Sequence, residues 1–159
     1  MATFDFRPEA ERTGVWKALP HGSHKFVVKA LLADDRTTTS LADYRAGRAS
    51  LEALADVIAR ATGNLVGLQA RNAVLKDVPL DPANDGVSCW HLLPPGTESD
   101  IAEAIAHDAE LAGLLSSITD AYLVNRISRM TGLAIGQQAL KYFSEIGHFL
   151  MALVKRIAK

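Results

Sequence analysis

Apolar residues return at helical spacing along two long stretches of this chain. In the first, Leu41, Tyr44, Leu51, Leu54, Val57, Ile58 and Ala61 fall on one face, the three-to-four-residue period of an amphipathic helix. In the second, Leu111, Leu114, Leu115, Ile118, Tyr122 and Leu123 lead into Ile127. A further seam runs through Leu133, Gly136, Leu140, Phe143, Gly147, Leu150, Val154 and Ile157 and is widened by Ala139, Ile146, Phe149 and Leu153, which predicts that the last helix is the most buried element. Ser40 with Asp43 reads as a capping box, Ser50 as a second N-cap and Asp108 as a point of recapping, because their side chains can satisfy free N–H groups of a first helical turn. Residues 24–33 fit two structures. Val27 and Val28 suit a strand, whereas Phe26, Val27, Ala30 and Leu31 form a helical stripe; Lys25 near the start and Asp34 and Asp35 at the end oppose a helix dipole and favour a strand or a weak helix.

One stretch occurs twice. Ile58, Arg60, Thr62, Gly63, Gly67, Gln69 and Ala70 reappear 69 residues later as Ile127, Arg129, Thr131, Gly132, Gly136, Gln138 and Ala139, with Val66 opposite Ile135. Thr-Gly in each copy predicts a helix stop with the glycine in a left-handed C-cap, and Arg60 and Arg129 would then lie in a last turn, where a cation is favoured. Gly67 with Ala70, and Gly136 with Ala139, leave a shallow groove for a second helix. The expectation is a mainly α fold in which two related helical hairpins form a four-helix-like bundle. Its single domain spans residues 1–159: an N-terminal arm over 1–39 that includes the strand-or-helix segment, a first hairpin over 40–78, a turn-rich connector over 79–99 pinned through Trp90, and a second hairpin over 100–159 whose paired helices run from 108 to 158.

Composition narrows the function classes. With 159 residues, 48% apolar and 22% charged, the chain can bury a sizeable core. A formal charge of -1 argues against a uniformly basic nucleic-acid-binding surface. The charge is uneven, however. Between Asp77 and Asn125 there are carboxylates and no Lys or Arg, and beyond Asn125 six cations stand against Glu145 alone. Such polarity suits head-to-tail pairing, or a nucleic-acid contact through the basic C-terminal part. The opening residues Met1 to Pro8 lack a basic region followed by an apolar run, so no secretory signal is expected. No membrane span is expected either, since the apolar runs are shorter than about 18 residues. Cys89 is the one cysteine, which points to a reducing cytoplasm.

Candidate chemistry is sparse. Arg60, Gln69, Arg129 and Gln138 could converge near a pseudo-two-fold axis to hold an anionic or nucleotide-like ligand, although a glutamine amide could equally satisfy backbone groups at a turn. His21, His24, Cys89 and His91 are weak metal candidates without the paired Cys-x-x-Cys spacing of a zinc site. Gln69, Arg71, Asn72 and Lys76 could line a recognition helix, but the preceding helix is too long and the turn too short for that motif. No phosphate loop, nucleophile elbow or dinucleotide fingerprint is present, so neither an enzyme nor a cofactor is expected. A nonenzymatic helical interaction protein, working through protein-protein contacts in an oligomer or larger complex, is the favoured reading.

Overall fold

The computed structural model describes residues 14–74 and 89–141. Within them the same order of elements occurs twice. A 3-10 turn (Val15–Ala18) is followed by α1 (Ser23–Leu32), α2 (Asp35–Arg45) and the long α3 (Leu51–Val74); a second 3-10 turn (Cys89–Leu92) is followed by α4 (Thr97–Ala106), α5 (Ala109–Leu114) and the long α6 (Asp120–Lys141). The described residues are mainly helical and contain no strand.

The local causes of these elements match position by position. Gly22 and Gly96 sit immediately before α1 and α4 with φ of 91° and 88°, a region open to glycine and costly for residues with a Cβ. The hydroxyls of Ser23 and Thr97 donate to the carbonyls of Pro20 and Pro94, each at 2.7 Å. The Asp34 carboxylate caps α2 by accepting from Thr37 N at 2.9 Å, and that of Asp108 caps α5 by accepting from Leu111 N at 2.8 Å. Ser50 and Thr119 cap the long helices, accepting from Ala53 N and Tyr122 N. The first set of correspondences runs at an offset of 74 residues and the last at 69. The difference of five is the difference between α2, with 11 residues, and α5, with 6.

Several expectations change. Residues 24–33 are not a strand: α1 is helical because Val27 and Leu31, one turn apart, are both fully buried. Burial of each stabilises by about 1.5–3 kcal/mol, more than the ~0.3–1 kcal/mol of an unfavourable dipole contact. Asp34 does not burden the end of α1; it starts α2. Ser40 lies inside α2 rather than at its N-cap, and the N-terminal arm expected over 1–39 contains α1 and the start of α2. The predicted hairpin breaks are absent, since α3 runs unbroken through Gly63 and α6 through Gly132, and neither glycine has positive φ. Residues 1–13, the ends of the expected hairpins and the seam beyond Lys141 lie outside the described residues.

What Gly63 and Gly132 provide is space. A Cβ on Gly63 would overlap the indole of Trp90, and one on Gly132 would overlap the indole of Trp16. The contacts are reciprocal, because the 3-10 turn of the first half packs on α6 and that of the second half on α3. Helices α3 and α6 also pack on each other, and each touches both α1 and α4. Ile58 and Ile127, at matching positions, are fully buried in the shared core together with Leu54, Ile101, Leu111 and Leu123. The halves are thus interlocked rather than set side by side.

Candidate functional site

Each Trp-Gly contact carries a charged neighbour. Arg60 leaves α3 one turn before Asn64, and its guanidinium donates to Glu98 Oε1 of α4 at 2.9 Å and to Asp56 Oδ1 at 3.3 Å. Trp90 Nε1 donates to the Arg60 carbonyl at 3.1 Å. The ion pairs are exposed, so each contributes about 0–1 kcal/mol. On the other side His24 takes the place of Glu98, its ring lying 4.8 Å from that of Trp16 at an interplanar angle of 57°. Burial holds the His24 pKa below its ordinary value of 6.5, and the positive charge of Arg129 lowers it further. Trp16 Nε1 and His24 Nε2 are buried with no hydrogen-bond partner among the described residues.

The depressed His24 pKa makes stability depend on pH. Between the folded value and 6.5 the unfolded chain binds more protons than the folded one, so stability rises with pH across that window. The His24 contribution is fully present above about pH 6.5 and declines as the pH falls through the folded pKa. Thermal melts from neutral to mildly acidic pH should therefore show a steeper loss of stability for wild type than for His24→Gln; parallel curves would refute the assignment.

The four predicted ligand residues are spread along two helices. Gln69 lies nine residues beyond Arg60 on α3, and Gln138 nine beyond Arg129 on α6, an axial separation of roughly 13 Å within each pair. Gln69 is half-buried, Gln138 buried, and both arginines are exposed. Arg60 faces α4, whereas Arg129 is close enough to His24 of α1 to act on its charge. Arg60 also lines a groove of about 430 Å³ with Asp34, Arg36, Val57, Asn64 and Leu65.

Among the metal candidates, His21 is exposed and His24 half-buried at the start of α1. Cys89 is buried, and its pKa is pushed up mainly by that burial, with the negative charge of Glu98 adding to it and a backbone hydrogen bond opposing it. A neutral, buried thiol is a poor nucleophile and a poor ligand. The side chain of His91 lies outside the described residues. Among the described residues, no group of three or more His, Cys, Asp or Glu side chains is placed to hold a metal ion.

Two further grooves occupy matching places in the two halves. One lies between α3 and α4, about 320 Å³ in volume, with Glu52, Asp56 and Glu103 around a floor of Ala53, Ser99 and Ala102. The other, about 250 Å³, lies between α1 and α6, with Lys25, Lys29 and Asn125 around Val28 and Leu32. Phe26 of α1 and Tyr122 of α6 are the exposed large apolar side chains among the described residues, at 53% and 46%. These surfaces escaped the sequence reading because the pairing of α1 with α6 and of α4 with α3 is set by the interlock. The signal for the interlock was nevertheless present: Trp16, Leu19, Pro20, Gly22 and Ser23 recur as Trp90, Leu93, Pro94, Gly96 and Thr97.

No protein-family model matches this chain, and no curated protein or solved structure matches it either. No helix among the described residues is long and apolar enough to cross a membrane.

Proposed function

We propose that this protein is a nonenzymatic helical assembly protein that acts through protein-protein contacts in an oligomer or larger complex. The observation that carries this reading is the exposure of Phe26 on α1 and Tyr122 on α6, the two helices that border the groove carrying Lys25 and Lys29. A single exposed aromatic is ordinary, but aromatic anchors surrounded by a polar rim are the usual composition of a protein interface. The matched caps, turns and Trp-Gly contacts further support two copies of one helical unit fused in a single chain. The reading predicts recovery of the protein in stable complexes when it is cross-linked in its native cell. A chain that stays monomeric by light scattering at high concentration and also recovers no partner would overturn it.

A second reading is an anion or nucleotide-like ligand held in the groove beside Arg36 and Arg60. Asp34 in the same groove, and the ion pairs already made by Arg60, weigh against it. Thermal stabilisation by nucleotides that is lost in Arg36→Ala, Arg60→Ala would support this alternative, and equal shifts in both proteins would remove it.

A further inference from the structure

The grooves α3/α4 and α1/α6 occupy matching positions but carry opposite chemistry. With the offsets above, Lys29 corresponds to Glu103, Asn125 to Asp56, Ala121 to Glu52 and Lys25 to Ser99. Wherever one groove places a charge, its counterpart places the opposite charge or none. Size is complementary too. Tyr122, one turn before Asn125, stands where the acidic groove has the small Ala53, and Val28 stands where it has Ala102. At these matching positions α6 therefore carries the exposed Tyr122, whereas the acidic groove is lined by the small Ala53, Ser99 and Ala102.

Apart from Asp56, which pairs with Arg60, the rim charges are also unspent. Arg45, Arg48, Arg60 and Arg126 each form an ion pair, whereas Lys25, Lys29, Glu52 and Glu103 form none among the described residues. The two grooves lie on different pairs of helices, and within one molecule the lysines make no ion pair with the carboxylates of the acidic groove among the described residues. A second copy can supply that pairing.

From this complementarity we propose that the protein self-associates head to tail, the α1/α6 face of one copy, with Lys25, Lys29 and Tyr122, docking into the α3/α4 groove of the next, with Glu52, Asp56 and Glu103. The proposal rests on the assembly reading above and names the partner as a second copy of this chain. Because the contact is heterologous, every added copy leaves one basic and one acidic face open, and the series grows as a filament or closes as a ring. Opposite potentials fix the register, since like faces brought together are repelled.

Sedimentation velocity over a range of concentrations tests it with four samples: wild type, Lys25→Glu with Lys29→Glu, Glu52→Lys with Glu103→Lys, and an equimolar mixture of the two variants. All the substituted side chains lie at the groove rims, and circular dichroism checks that each variant folds. Wild type should grow in size with concentration, and more weakly as salt rises from about 0.05 to 0.5 M and shortens the screening length. Each variant alone should associate at least about tenfold more weakly, because its two faces now carry the same sign. The mixture should recover association, because each altered face meets its complement, and Tyr122→Ala should weaken wild-type association without changing its dependence on salt. Variants that associate as tightly as wild type, or a mixture that stays as dissociated as its components, would overturn the head-to-tail contact while leaving an assembly role intact. A wild-type monomer that is nevertheless cross-linked to a different protein in its cell would do the same. Only the loss of both self-association and any partner removes the assembly role itself.

Discussion

Gly132→Ala lowers the melting temperature, although alanine is the better helix former. Helix propensity alone favours alanine by about 1 kcal/mol. The new Cβ, however, would lie within the indole of Trp16, a flat ring that can yield only by moving as a unit. Overpacking of this kind costs about 1–3 kcal/mol, and each kcal/mol corresponds to roughly 2–4 °C in a chain of this size. With the propensity gain subtracted, the net loss is up to about 2 kcal/mol, a drop of up to roughly 8 °C, and the same is expected for Gly63→Ala against Trp90. The deciding measurement is a double-mutant cycle. In a Trp16→Ala background the overlap is gone, and Gly132→Ala should become neutral or stabilising, with a coupling of about 1–3 kcal/mol. If Gly132→Ala behaves alike with and without Trp16, the glycine is there for another reason.

The second large effect is at the rings themselves. Trp16 and Trp90 are the two tryptophans of the chain, both half-buried against the core. Truncation of either to alanine should cost about 3–5 kcal/mol, toward the lower end because burial is partial. Replacement by phenylalanine separates the two positions. Trp90→Phe removes the hydrogen bond from Nε1 to the Arg60 carbonyl, a loss of about 0.5–1.5 kcal/mol beyond the change in ring size. Trp16→Phe removes an Nε1 that is buried without a partner among the described residues, so its cost should be smaller. Urea denaturation followed by circular dichroism measures both without relying on the missing fluorophore. Equal costs at the two sites would show that the hydrogen bond contributes nothing measurable.

These contacts also mark where sequence reasoning stopped. The N-caps at Ser50 and Asp108 could be read directly, because a short polar side chain ahead of an apolar stripe acts on N–H groups within three residues. Asp34 is ambiguous in sequence, because an aspartate that opposes the end of one helix is also well placed to start the next. Gly63 and Gly132 stand out in the sequence, but they make room for the tryptophans rather than end a helix. A glycine can serve a backbone with positive φ or make room for a neighbour, and the letter is the same in both cases. The neighbours were distant in sequence, with Trp90 27 residues after Gly63 and Trp16 116 residues before Gly132, so local periodicity carried no information about them. Arg60 and Arg129 were picked out as a matched pair, yet their surroundings differ. Glu98 and His24, which distinguish them, belong to helices whose partners are decided by packing.

By itself, then, the sequence determined the helical character of the chain, the recurrence around Gly63 and Gly132 and an unequal distribution of charge, because period, capping and composition act over short distances. The tertiary structure decided that the long helices run through those glycines, that each half seats its tryptophan on the other, and that Lys25 and Lys29 border one groove while Glu52, Asp56 and Glu103 border its counterpart. Those features depend on which apolar faces bury one another across the whole chain, and burial of that kind is a property of the assembled core rather than of any single stretch.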